Sequence, residues 1–292
     1  MTRTSLLLRP ALLAPCLLIG CASVPGACDA IAIGAVQGPA DTSPLVGRTV
    51  TIRGVVSAMG DGGWFVQDAG DGDDATSDAL FVADAAPTVR PGDDVLVHGT
   101  VAELASGRAT RTALVEAGVE RVGQGKIPAL PLTTAPADWE RFEGVRVRLD
   151  GPVFLADSGD PAKQDRVRAS LDERSWQPTE RHVPGTDGYR AQVADNARRT
   201  LYLEIANVAW PAIAQARTGS RIAGATGVID EAKDGYALHL DTAPALEPVA
   251  RPQPPGIPGK LRLAALNLEN LFNGDGRGGG FPTLRGARTP QE

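Results

Sequence analysis

Asn267, Glu269 and Asn270 stand at the end of an apolar run, Leu261 to Leu268, and a glycine-rich loop follows them. Glu269 alone does not supply the several oxygens that a divalent cation needs to polarise a phosphate and activate water. A second group of interest is aromatic and basic: Trp64, Phe65 and Phe81, with Arg108 and Arg111 further on. Aromatic rings on neighbouring strands offer stacking platforms for the bases of a single strand, and arginines reach its phosphates. Trp64 and Phe65 are adjacent in a strand, so their rings face opposite sides. One fills a core and the other is left for the outer face, with Phe81 as its companion.

Other chemistry-bearing residues carry less. Asp71, Asp73, Asp74 and Asp78 crowd one loop but lack the bidentate glutamate that completes an EF-hand, so a solvated turn is expected. His98, His182 and His239 are scattered with no thiol beside them, and zinc spacing is absent. Gly278-Gly279-Gly280 lacks the Lys and Ser/Thr of a phosphate-binding loop, and no G-x-S-x-G occurs. Arg141, Arg146 and Arg148, or Arg198 and Arg199, form a basic stripe or merely solvate a strand face.

The elements that must position these residues read as short strands. Thr49–Val56 alternates with period two, Asp61-Gly62-Gly63 turns, and Trp64–Asp68, Leu80–Val82, Val95–Val101 and Thr112–Val115 follow. Hydrophobic content of 42% supports real cores, and 34 glycines with 23 prolines suit strands and turns more than a helical bundle. Five such strands over residues 31–122 fit a small OB-type barrel, where closure removes exposed edges. A second copy is expected over residues 141–250. Gly47–Val56 and Gly144–Val153 both read G-x-x-V-x-aliphatic-x-G-x-V, and Pro91-Gly92 has an echo in Thr218-Gly219. Residues 123–140 are read as a linker, 163–200 as an insertion with a short helix at Tyr189–Arg199, and the proline-rich 251–259 as a stiffer linker.

At the N-terminus Arg3 and Arg9 flank leucines, an apolar run extends to Ile19, and Leu18-Ile19-Gly20-Cys21 follows. This resembles a bacterial lipoprotein signal with its lipobox over residues 1–21. The resemblance implies diacylglycerol on Cys21, cleavage before it and an outer-membrane anchor, since Ala22 supplies no retention aspartate. Cys28 is then the only unmodified thiol, so no internal disulfide forms.

Residues 260–292 resemble the opening of an endonuclease/exonuclease/phosphatase domain. L-V-G-R-T-V-T-I-R-G-V-V, G-G-W-F-V-Q-D and the acidic loop after them resemble an OB domain of secreted bacterial nucleases of the ExeM/YhcR type. The resemblance implies a mainly β chain: tandem OB-like five-stranded barrels, then the incomplete start of an α/β catalytic domain. Asn267 matches the family's first active-site position, and the family's metal-binding glutamate, histidine and aspartates have no match here. The implied function is the nucleic-acid-binding accessory region of an extracellular or cell-envelope DNA endonuclease. Its implied partners are DNA, single-stranded DNA included, the missing nuclease domain and the outer membrane through the lipid. Magnesium or manganese is implied for the full-length family, and no cofactor for this chain. The net charge of −6 argues against strong non-specific polyanion binding and favours the alternative, a non-catalytic envelope lipoprotein that binds a protein or glycan.

Overall fold

A computed structural model describes residues 30–106, 109–157, 165–253 and 256–259, together with residues 261, 263 and 289. Cys21, Arg108 and Asn267, with Glu269 and Asn270, lie outside the described residues. The chain is mainly β and divides into two units, residues 1–249 and 250–292. In the second unit the described stretches 251–253 and 256–259 form no helix or strand.

The first unit holds two sheets. The first is a closed barrel of β1 (Thr49–Gly60), β2 (Gly63–Gln67), β3 (Ala79–Ala83), β4 (Asp93–Ser106) and β5 (Ala109–Gln124), paired in the cyclic order 1-2-3-5-4. The alternation of β1 places Ile52 and Val56 inward and Arg53 outward, as period two requires. Trp64, Val66, Leu80, Val82, Val97 and Leu114 complete the interior. The short helix α1 (Ile33–Gln37) packs Ile33 and Val36 onto that same core.

The second sheet has nine strands: β6 (Leu130–Leu132), β7 (Arg146–Leu149), β8 (Val153–Asp157), β9 (Arg166–Leu171), β10 (Thr200–Glu204), β11 (Arg221–Ala223), β12 (Thr226–Ala232), β13 (Gly235–Leu240) and β14 (Ala245–Glu247). Gly151-Pro152 breaks one strand position into β7 and β8, because proline cannot donate to the ladder. Gly224, with φ +72°, lies in the break between β11 and β12. β11 pairs with β8 and β12 with β7, so the pairing order repeats that of the first barrel. In each copy the third strand pairs in parallel with the fifth, Phe81 opposite Ala113 and Tyr202 opposite Ala237.

The correspondence holds atom by atom. Gly47 N–H donates to Val101 O at 2.8 Å, and Gly144 N–H donates to Ile229 O at 2.8 Å. Both glycines have φ near +75°, a region costly for residues with a Cβ. Gly92 N–H reaches Val56 O at 2.8 Å, and Gly219 N–H reaches Leu155 O at 2.7 Å. The two copies even share a bulge, between Val56 and Ala58 in one and between Leu155 and Asp157 in the other. Following the registers, Phe65 corresponds to Arg168, Phe81 to Tyr202, Ala102 to Asp230 and Ala113 to Ala237.

Two expectations about connections change. Residues 123–140 are not a free linker. β5 runs on to Gln124, β6 adds to the second sheet alongside β7, and Trp139 is buried with its Nε1 donating to Arg198 O at 2.8 Å. The stretch read as an insertion contains β9, which is part of the sheet itself. It continues into α2 (Pro178–Arg181) and α3 (Asp187–Arg199), which starts two residues earlier than the periodicity suggests. Thr186 caps α3, its Oγ1 accepting from Tyr189 N–H.

Candidate nucleic-acid interface

The three aromatics singled out in the first barrel are all buried. Trp64 is 0% exposed and fills the barrel. Phe65 (0%) and Phe81 (2%) do point outward, but the second sheet covers them. Their rings meet edge to face at 5.1 Å and share a small core with Ala113 and with Val228 of β12. Arg111 takes the place a base would occupy. Its guanidinium lies 3.5 Å from the Phe81 ring centroid, and Nη1 donates to Asp230 Oδ2 at 2.7 Å. Exposed stacking at Trp64, Phe65 or Phe81, and a phosphate contact from Arg111, are therefore not available in this arrangement.

Around that contact runs a polar seam. Glu143 Oε1 accepts from Gln37 Nε2 and from Thr112 N–H, each at 3.2 Å. Gln67 Oε1 accepts from Arg146 N–H at 3.0 Å, and Ser106 Oγ donates to Glu231 O at 3.0 Å. Tyr236 OH donates to Glu140 Oε2 at 2.6 Å. Burial pushes the carboxyls of Glu143 and Glu140 up, and that of Glu231 up to about 7. Burial, then the Glu140 carboxylate that accepts its proton, pushes the Tyr236 hydroxyl up as well.

The corresponding face of the second sheet is partly exposed. β9 and β10 turn Val167, Ala169, Leu201 and Leu203 inward, which leaves Arg166, Arg168, Tyr202 and Glu204 on the outer side. Arg168 is exposed and Tyr202 half-buried. The Arg166 guanidinium lies 4.6 Å from the Tyr202 ring centroid and pairs with Asp234 at 3.0 Å, an exposed pair of small energy. His239 continues this face, directly opposite Glu204, with Nε2 3.2 Å from Asp230 Oδ2. Sequence reasoning missed Tyr202 and Arg168 because the repeat was aligned only over its first strand and the turn before its fourth. Carrying the repeat through the third strand reveals them.

Beside this face a cavity of about 780 Å³ opens between the two sheets. Its wall includes Val55, Met59 and Ile127, and its polar groups include Lys126, Glu204, Asn207 and His239. Burial raises the Glu204 carboxyl, while His239 and Arg166 act against that rise. Among the described residues no group of three or more His, Cys, Asp or Glu is arranged to hold a metal ion. In the acidic loop, Asp71 and Asp73 accept backbone N–H groups two residues on, as turn residues do. No known family model and no curated protein matches the sequence.

Proposed function

We propose that this chain is the nucleic-acid-binding accessory region of a cell-envelope or extracellular DNA endonuclease, and that single-stranded DNA lies on the outer face of the second sheet. The observation that carries the reading is the register match between Phe81 and Tyr202. The cyclic strand order 1-2-3-5-4, with a parallel pair between the third and fifth strands, is the connectivity expected of an OB barrel. Such barrels bind single strands across the second and third strands. In the first copy that face is filled. In the second it carries a half-buried tyrosine and two arginines, which suits stacking with phosphate neutralisation. Two arginines, one of them paired with Asp234, on a chain of net charge −6 make the binding weak and salt-sensitive.

The test is fluorescence anisotropy with a labelled dT12 strand at low salt. Tyr202→Ala is expected to weaken binding by ~1–3 kcal/mol, the usual loss for one stacked base. Arg168→Ala weakens it and flattens the salt dependence. Unchanged affinity in both variants, with melting temperatures retained, overturns the reading. Anchoring at the outer membrane through Cys21 belongs to the same proposal. Mass spectrometry of the mature protein is expected to show a diacylglycerol-modified N-terminal cysteine, and an unmodified terminus at another residue rules the anchor out.

A further inference from the structure

The cavity between the sheets adjoins the proposed strand-binding face through Glu204. Tyr202 and Glu204 are two residues apart on the same side of β10, a separation of about 7 Å. A base stacked at Tyr202 therefore leaves its neighbour in an extended strand at the mouth of the cavity. Glu204, Asn207 and Lys126 line that space, and none makes a side-chain hydrogen bond among the described residues, while Glu204 has His239 and Arg166 as charged neighbours. Arg146 and His239 also line it but are engaged, by Asp241 at 2.6 Å and Asp230 at 3.2 Å. The volume is within the range of small-ligand pockets, and its apolar wall suits the flat face of a base.

We propose that this cavity takes one nucleobase of the bound strand and that Glu204 selects guanine there; the proposal rests on the strand-binding reading above. An ionised carboxylate only accepts hydrogen bonds, through two oxygens side by side. The Watson–Crick edge of guanine presents two adjacent donors, N1–H and the N2 amino group. Adenine and cytosine each present one amino group beside an acceptor nitrogen. Thymine presents one N–H between two carbonyl oxygens, which repel a carboxylate. A half-buried carboxylate whose oxygens accept no hydrogen bond gains most from the base that satisfies both of them. Lys126 supplies three donors for the adjoining phosphate.

Four labelled strands test this by anisotropy: dT12 and dT12 with a central dG, dA or dC. The dG strand is expected to bind about tenfold more tightly than the other three, within the usual discrimination of a bidentate pair. Glu204→Gln is expected to abolish the preference, because its amide places a donor against one of guanine's two. Equal binding of all four strands, or a dG preference that persists in the folded variant, overturns the inference and leaves the strand-binding reading intact. Absence of binding by every strand overturns both. Photo-crosslinking of a 6-thioguanine-substituted strand to the unmodified protein gives a readout that does not depend on a variant. Adducts at Met59, Lys126 or Ile127 support the assignment, and adducts confined to other residues defeat it.

Discussion

Arg111 is the residue on which the contact between the two sheets turns. Its guanidinium rests on Phe81 and is paired with Asp230, with both side chains largely buried. Removing one member of such a pair leaves a charge without compensation, which costs about 3–5 kcal/mol. Arg111→Met keeps most of the side-chain volume and is expected to lower unfolding stability by roughly that amount in urea titration. A loss under ~1 kcal/mol would show that the pair contributes little beyond geometry. Alternation alone correctly separated Trp64 from Phe65, since a strand places adjacent rings on opposite faces. It carried no information on what covers Phe65. Val228 and Asp230 lie more than a hundred residues further on, and no local pattern links them to that ring.

At the scale of elements, the seam between β5, β12 and the one-turn helix Glu140–Phe142 gathers, beside the Arg111–Asp230 pair, the carboxyls of Glu140, Glu143 and Glu231. Glu231 is held up to about 7 by burial, with Glu140, Asp230 and Asp41 adding to the rise and Tyr236 opposing it. A carboxyl raised in the folded state binds a proton that the unfolded chain has already lost. Its stabilising contribution is complete below the ordinary value of 4.5 and disappears as pH rises through about 7. Glu143 and Glu140 act in the same direction. The melting temperature is therefore expected to fall between pH 5 and pH 8. Glu231→Gln flattens that slope and is more stable than the parent at pH 8. A melting temperature that rises steadily across the interval contradicts this account of the seam. The strands themselves were legible because period-two alternation and Gly-Asp turns are local signals. β6 and the burial of Trp139 were not, because they depend on a partner strand that the proline-rich sequence around them does not announce.

For the molecule as a whole, the covered face joins the two sheets into one body spanning residues 30–249. Limited proteolysis is expected to yield a single protected fragment ending near Val249, with one cooperative thermal transition. Early cleavage within 123–140 would restore the picture of two barrels on a flexible tether. The repeat was visible in the sequence as two glycine-framed segments. Its consequence was not, because deciding which copy keeps an open face requires the register of every strand.

That register also governs assembly. The two copies meet through unlike surfaces: the Phe65–Phe81 side of one takes the Val228–Asp230 side of the other. A head-to-tail contact of this kind is not self-complementary, and identical modules joined so would add on into a ring or, where the rotation does not close, a fibre. At the position where the first copy offers Phe65, the second offers Arg168, and where the first offers Phe81, it offers Tyr202 beneath Arg166. A third copy would have to bury the Arg168 guanidinium, which has no ion-pair partner among the described residues, in order to dock there. The second copy therefore does not repeat the docking surface that the first presents.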